Sequence, residues 1–163
     1  MELRNALRED LPAIVSIYNS TIKSRMVTAD MEPVTLEEKI SWFNEHHAQR
    51  PLWIAEENNQ TIGWVSLQDF YGRPAYSGTA EISIYLGEQW RGKGYGKTIL
   101  EMSIQKSPDL QLHTLLGYIF AHNIISLQLF SKAGFEEWAH LPTIAMMDGN
   151  TYSLKILGKK ITG

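Results

Sequence analysis

Along Thr79–Leu86 polar and apolar residues alternate: Thr79, Glu81, Ser83 and Tyr85 against Ala80, Ile82, Ile84 and Leu86. A period of two sends neighbouring side chains to opposite faces, so the segment predicts a strand with one polar row and one apolar row. Leu3–Ala6 predicts a short first strand. Leu11-Pro12 follows two acids and puts proline in a first helical turn, where its missing N–H costs little; Ile14, Ile17 and Tyr18 supply that helix's apolar face. Thr35 with Glu38 three residues on matches a capping box, continued by Ile40 and Phe43. Leu52–Glu56 and Thr61–Leu67 flank a polar turn and read as an antiparallel hairpin, and Gly72-Arg73-Pro74 marks a loop. After a basic glycine-rich segment a helix is predicted through about Lys106, then a buried strand over Leu112–Ala121. A helix over Ser126–Ala133 stops at Gly134, and Phe135–Trp138 and Thr151–Leu157 supply two last strands. The order β-α-α-β-β-β-α-β-α-β-β predicts an α/β chain with a mixed sheet and helices on its faces, not a doubly wound parallel fold.

Composition narrows the function classes. The 163 residues suit one domain, 1–163, and 44% hydrophobic with 20% charged residues is ordinary globular usage. Eighteen acids against 15 bases give a net charge of −3, which argues against nucleic-acid binding but allows a local basic pocket. The absence of cysteine removes disulfides, thiolate catalysis and cysteine-ligated zinc, and fits a reducing compartment. The start is charged from its second residue, and no apolar run approaches the roughly 20 residues of a membrane span, so a cytoplasmic protein without membrane association is expected. The five histidines show no ligand spacing, and no metal site is read.

The densest chemistry lies in Arg91-Gly92-Lys93-Gly94-Tyr95-Gly96-Lys97, between the alternating strand and a helix. Glycines at every second position allow close backbone approach, and N–H groups converging at a helix N-terminus suit phosphate oxygens. The segment misses a nucleotide P-loop by one residue, arginine standing at 91 for the first glycine. It misses a dinucleotide fingerprint by Lys97 at the third glycine position. A glycine-rich turn without a ligand is the plainer alternative.

Two motifs decide between these readings. Arg91-x-x-Gly94-x-Gly96 resembles the R/Q-x-x-G-x-G/A loop of the GNAT superfamily of N-acetyltransferases, and Asn123-x-x-Ser126-x-x-Leu129-Phe130-x-Lys132-x-Gly134-Phe135 resembles that family's second block. Ile17-Tyr18-Asn19, Val27 to Thr35, and Arg73-x-Ala75-Tyr76-x-x-Thr79-Ala80-Glu81 are similar to the phosphinothricin acetyltransferase branch. The matched blocks run from about residue 3 to 158. The resemblance implies a GNAT fold, a mostly antiparallel mixed sheet of about seven strands with four flanking helices. It also implies acetyl-CoA as co-substrate, a small amino acid or analogue as acceptor, and a homodimer.

Residue roles carry over position by position. Arg91, Gly92, Lys93, Gly94, Tyr95, Gly96 and Lys97 would hold the coenzyme pyrophosphate, and the backbone of Ile84, Tyr85 and Leu86 the pantetheine amides. Asn123 would bond the pantetheine arm, or simply cap its helix; Ser126 and Lys132 belong to the same block. Glu81 matches the branch's base, its bland alternative being an exposed strand glutamate; Tyr85, four residues on along the same face, is a weaker catalytic candidate. Arg73 and Tyr76 would meet the acceptor's acidic group, with Thr28 and Glu32 bordering the cavity. The chain departs from the family at Phe130, where a tyrosine acid is frequent, and at Asp148, where a histidine often precedes the late glycine. Competing readings are acetylation of a protein amino terminus and a non-catalytic acetyl-CoA-binding module.

Overall fold

The computed structural model describes residues 1–162. Seven strands, β1 Glu2–Asn5, β2 Leu52–Glu57, β3 Gln60–Asp69, β4 Thr79–Leu86, β5 Thr114–Phe120, β6 Glu136–Met147 and β7 Asn150–Lys160, form one sheet in the order β1-β2-β3-β4-β5-β7-β6. Four α-helices accompany it: α1 Leu11–Ile22, α2 Leu36–Asn44, α3 Tyr95–Lys106 and α4 Ile124–Lys132. Every neighbouring pair is antiparallel except β4 with β5. Among the described residues no helix is long and apolar enough to cross a membrane.

Two apolar layers hold the helices to the sheet. One face of the strands, with Val65, Leu67, Ala80, Ile82 and Leu115, packs with Ile99 and Leu100 of α3 and Phe130 of α4. The other face, with Ile54 and Trp64, packs with Ile14, Tyr18 and Ile22 of α1. The alternation in β4 therefore feeds its apolar row into the α3/α4 layer and turns Glu81, Ser83 and Tyr85 toward the α1/α2 side. The capping box forms: Thr35 accepts from the Glu38 N–H at 3.2 Å, and Glu38 accepts from the Thr35 N–H at 3.0 Å. A cap of this kind contributes about 1 kcal/mol.

The sheet is not continuous along its length. Strands β4 and β5 pair through Thr79↔Thr114, Ala80↔Leu115 and Glu81↔Leu116, and their ladder then ends. Meanwhile β4 stays paired with β3 as far as Leu86, and β5 with β7 as far as Phe120. Each half keeps its own ladder, so the two strands part into a V.

The last hairpin corrects the sequence expectation. Strands expected over Phe135–Trp138 and Thr151–Leu157 extend over Glu136–Met147 and Asn150–Lys160. Register shifts at Glu137/Ala139 and Leu141/Ala145, with Thr143 at φ 48°, break the period of two that would have marked β6. Helix α4 also begins earlier than expected, at Ile124 behind an Asn123 cap, and β5 starts two residues later, at Thr114.

Candidate active site

The V opens a passage through the sheet. On its α3/α4 side a cleft is bounded by Ile82–Tyr85 of β4, Gly117–Ile119 of β5 and Asn123, Ser126 and Phe130 of the α4 segment. On the α1/α2 side a second cavity is bounded by Val27–Ala29, by Glu81, Ser83 and Tyr85, by Tyr118 and Phe120, and by Ile144, Ala145 and Leu154. Val27, Ser83, Tyr85 and Tyr118 belong to both, so the two spaces meet at the V. Beyond Glu81 the edge of β4 facing β5 has no strand partner. Its N–H and C=O groups are available to a ligand that carries amides.

The glycine loop lies where β4 ends. After a short 3-10 turn at Glu88–Trp90, Gly92 and Gly94 take φ of 72° and 88°, in the left-handed region where a Cβ is costly. A Cβ on either would meet no atom within 4 Å, so these two glycines face open space. Gly94 is the N-cap of α3 without any side-chain cap bond, and no protein carbonyl accepts from the N–H groups of Gly92 to Lys97 among the described residues. These open donors at a helix N-terminus fit a diphosphate. Gly96 differs: it faces inward, where a Cβ would make ordinary contact with Leu129 at 3.4 Å and Leu86 at 3.8 Å.

The charged side chains of this loop sit elsewhere than the backbone donors. Arg91 folds back, its Nε and Nη2 donating to the Leu86 carbonyl at 3.1 and 3.0 Å and Nη2 to Ser20 Oγ at 2.8 Å. It ties the loop to the end of β4 and to α1. Lys93 lies 5.5 Å over the Trp90 ring, and the exposed Lys97 is 3.9 Å from Glu101. The Tyr95 hydroxyl donates to Glu57 at 2.6 Å, toward the β2–β3 hairpin. Asn123 is buried and caps α4, its Oδ1 accepting from the Ser126 N–H at 3.2 Å, while lining the cleft. Lys132 is exposed in the last turn of α4 and lines neither space.

Around Glu81 the surroundings are aromatic. Tyr85 stacks on Trp64 at 4.5 Å and tilts against Tyr18 at 5.3 Å. The Tyr18 hydroxyl bonds Thr28 Oγ1 at 2.7 Å and donates to Asp30. Burial raises the Glu81 carboxyl above the usual carboxylate range, since no cation sits close enough to offset the lost hydration. Burial, aided by the Asp30 carboxylate, pushes Tyr18 up to about 12. Tyr85 is driven higher still by burial, with Tyr18 and Glu81 adding to it. Glu81 is thus a carboxylate of enhanced basicity opening onto a cavity.

The expected acceptor residues divide. Thr28 borders the Glu81 cavity, whereas Glu32 is exposed and does not. Arg73 and Tyr76 do not line it either. The turn at Pro74–Tyr76 carries them to a separate hollow beside Arg50 and Asp69, and Tyr76 packs edge-on to Phe70 at 5.6 Å. Among the described residues of the single chain, no arginine or lysine therefore lines the Glu81 cavity. Tyr118 and the residues of β6 and β7 went unnoticed in the sequence; the one signal for Tyr118 was a polar tip inside an apolar run.

Asp148 acts at a distance. In the β6–β7 turn, at φ 53°, it accepts from Arg25 Nε at 2.8 Å. Arg25, at φ 60°, donates through Nη1 to the Ile22 and Met31 carbonyls, both at 3.0 Å, and its own carbonyl is 2.8 Å from His122 Nε2. The pair ties the late turn to the loop carrying Val27–Ala29, so both rims of the cavity are fastened together.

Comparison with known proteins agrees with this geometry. Residues 1–136 match the acetyltransferase (GNAT) domain family. A Bacillus subtilis (strain 168) protein provisionally named phosphinothricin acetyltransferase YwnH is 53% identical over 99% of this chain and 100% of its own. An L-methionine sulfoximine/L-methionine sulfone acetyltransferase of Pseudomonas paraeruginosa is 28% identical, covering 95% of this chain and 91% of that one. The crystal structure of a phosphinothricin acetyltransferase from Sinorhizobium meliloti in complex with AcCoA superposes with a TM-score of 0.90 at 25% identity, over 98% of this chain and 88% of that one.

The Arg25–Asp148 pair yields a test. Arg25 holds the Asp148 carboxyl below its ordinary value, so the tie is present at neutral pH and is lost as pH falls through that depressed value. Asp148→Ala should speed amide hydrogen exchange over residues 25–31 at pH 7 while leaving the thermal midpoint nearly unchanged. Wild-type exchange in that loop would show that the pair does not restrain it.

Proposed function

The chain belongs to the GNAT acetyltransferases, and from that premise we propose that it transfers an acetyl group from acetyl-CoA to the amine of a small amino acid or analogue. The observation that carries this reading is the meeting of two spaces at the V, one beside open N–H donors and unpaired strand edge, the other holding Glu81. The relatives named for phosphinothricin and for methionine sulfoximine or sulfone support that acceptor class. A chain without cysteine, using acetyl-CoA, fits the reducing cytoplasm.

In this reading the N–H groups of Gly92–Lys97 hold the pyrophosphate, and the open edge of Ile84–Leu86 with Asn123 holds the pantetheine amides. Acetyl-CoA supplies an acyl group activated as a thioester. Glu81 takes the proton that an amino group of pKa near 8–10 carries at neutral pH, directly or through water. Its raised pKa keeps it basic enough to do so. The aromatic wall of Tyr18, Tyr85 and Trp64 limits water on the acceptor side. Arg73 and Tyr76 enter this proposal as acceptor contacts only if they are brought to the cavity from outside the single chain. A homodimer is part of the same proposal, supported by exposed Trp138, Ile144 and Met146 on β6, which lies at the edge of the sheet.

Three tests follow from this mechanism. Gly94→Val places a branched side chain at φ 88° on the loop's open face and should weaken acetyl-CoA binding by orders of magnitude in calorimetry. Unchanged affinity in a folded variant would remove the loop from the binding site. Glu81→Gln should lower kcat by about 10²–10⁴-fold and abolish the rise in rate with pH on the acidic limb, with acetyl-CoA affinity retained. A loss seen only in the acceptor KM would make Glu81 a positioning group. Sedimentation at micromolar concentration should give a dimer; monomer alone would count against the shared-cavity form of the proposal.

A further inference from the structure

The reaction needs a second proton transfer that the residues so far do not provide. As the C–N bond forms, the C–S bond breaks and its electron pair leaves on sulfur, so a donor beside the sulfur favours departure. At the position where the family often has a tyrosine, Phe130 has no hydroxyl; it is buried, and its ring lies where a Cβ on Gly117 would come within 2.7 Å.

The sheet register identifies a replacement from the opposite side. Continuing the β4–β5 pairing past Glu81↔Leu116 would place Ser83 opposite Tyr118, but the strands have parted there. Leu116, Tyr118 and Phe120 share the face of Glu81, Ser83 and Tyr85. Tyr118 consequently stands across the V from Ser83, at the junction of the two spaces. Only three hydroxyls lie at that junction among the described residues, those of Ser83, Tyr85 and Tyr118. An unactivated serine hydroxyl is too weak an acid. Tyr85 is packed between Trp64 and Tyr18 on the β3/α1 side. Tyr118 is 36% exposed, and its hydroxyl makes no hydrogen bond with the described residues.

We infer that Tyr118 is the proton donor to the departing sulfur, a catalytic role taken over from the other face of the sheet by a residue on β5. The inference rests on the acetyl-transfer reading above. The amine nitrogen's lone pair forms the bond to the carbonyl carbon, the sulfur keeps the C–S pair, and the phenol proton passes to sulfur. Glu81 first takes the ammonium proton and passes it to solvent. The second N–H proton, lost from nitrogen as the amide forms, returns through solvent to the phenolate at the exposed edge of the ring, so the products are amide, free thiol and one proton released to solvent. The titratable groups facing Tyr118 are Glu81 and Tyr85 from β4 and Tyr71 from the loop after β3; the α1–α2 loop brings Val27, Thr28 and Ala29 to this side, none of them titratable. Burial and then the Glu81 charge raise the Tyr118 phenol, which keeps it protonated until the sulfur leaves.

Tyr118→Phe preserves the ring and tests the hydroxyl alone. Its kcat should fall on the order of 10²-fold, with acetyl-CoA affinity in calorimetry unchanged. A second readout needs no turnover: the ultraviolet absorbance of the thiolate, followed while coenzyme A bound to the protein is titrated with base. A hydroxyl donor favours the thiolate, so the variant should ionise bound coenzyme A with an about tenfold smaller acid constant than the wild type. Wild-type kcat in the variant overturns the assignment, and so does a lowered kcat with an unchanged thiolate titration. If the wild type acetylates no amino acid offered, the acceptor reading fails, while the thiolate titration still reports on Tyr118.

Discussion

The architecture depends on β4 and β5 pairing for three residues and then separating. Parallel neighbours normally continue as long as both strands last, because each lost rung leaves a donor and an acceptor unpaired. Here both strands are committed on their outer sides: β4 to β3 through Gly63↔Leu86, β5 to β7 through Phe120↔Leu154. The packing holds them apart. Phe130 sits against Gly117 beneath β5, and Tyr85 is stacked on Trp64 of β3, so aromatic surface anchors each strand to its own half of the molecule. The unpaired edge is the cost of that arrangement, and it is a cost that an amide-bearing ligand can offset.

Placing a carboxylate beside such an opening has a consequence for the fold. Glu81 is raised by burial, so the native state holds its proton more tightly than the unfolded chain does. Between the unfolded value and the raised native one, stability falls as pH rises, because the native state there binds more protons than the unfolded state. The neighbouring phenols behave consistently with this. Tyr18 and Tyr85 stay neutral at physiological pH, so they exclude water from the carboxylate without adding charge beside it. Glu81 therefore faces a wall of neutral aromatic side chains, with the Asp30 carboxylate held behind it on the Tyr18 hydroxyl.

How much of this could be read from the sequence follows from the range of each signal. The alternation of β4, the capping box at Thr35 and the glycines around residue 94 are local patterns, and each expresses a backbone requirement met within a few residues. β6 looks shorter in sequence than it is because bulges and Thr143 interrupt its period of two. Tyr118 is hidden for another reason: its neighbours along β5 are buried on both faces, so the segment reads as an apolar run with no preferred side. The Arg25–Asp148 tie spans 123 residues and has no local signature. Arg91 shows a limit of charge as a clue, since its guanidinium bonds a carbonyl and a serine within the protein.

That use of Arg91 connects the two sides of the sheet. Its hydrogen bonds join the end of β4 to Ser20, in the last turn of α1, and α1 leads within a few residues to Arg25 and the loop that borders the Glu81 cavity. The glycine loop, α1 and the β6–β7 turn thus form one mechanical path around the V. With Arg91 engaged inside the protein, the donors left open in this loop are backbone N–H groups whose positions are fixed by the left-handed glycines and the first turn of α3. Such donors need no side-chain ordering when a ligand arrives, which lowers the entropic cost of binding. The frame that positions them also sets the mouth of the Glu81 cavity on the opposite face, so the two spaces share a junction whose geometry is built into the fold.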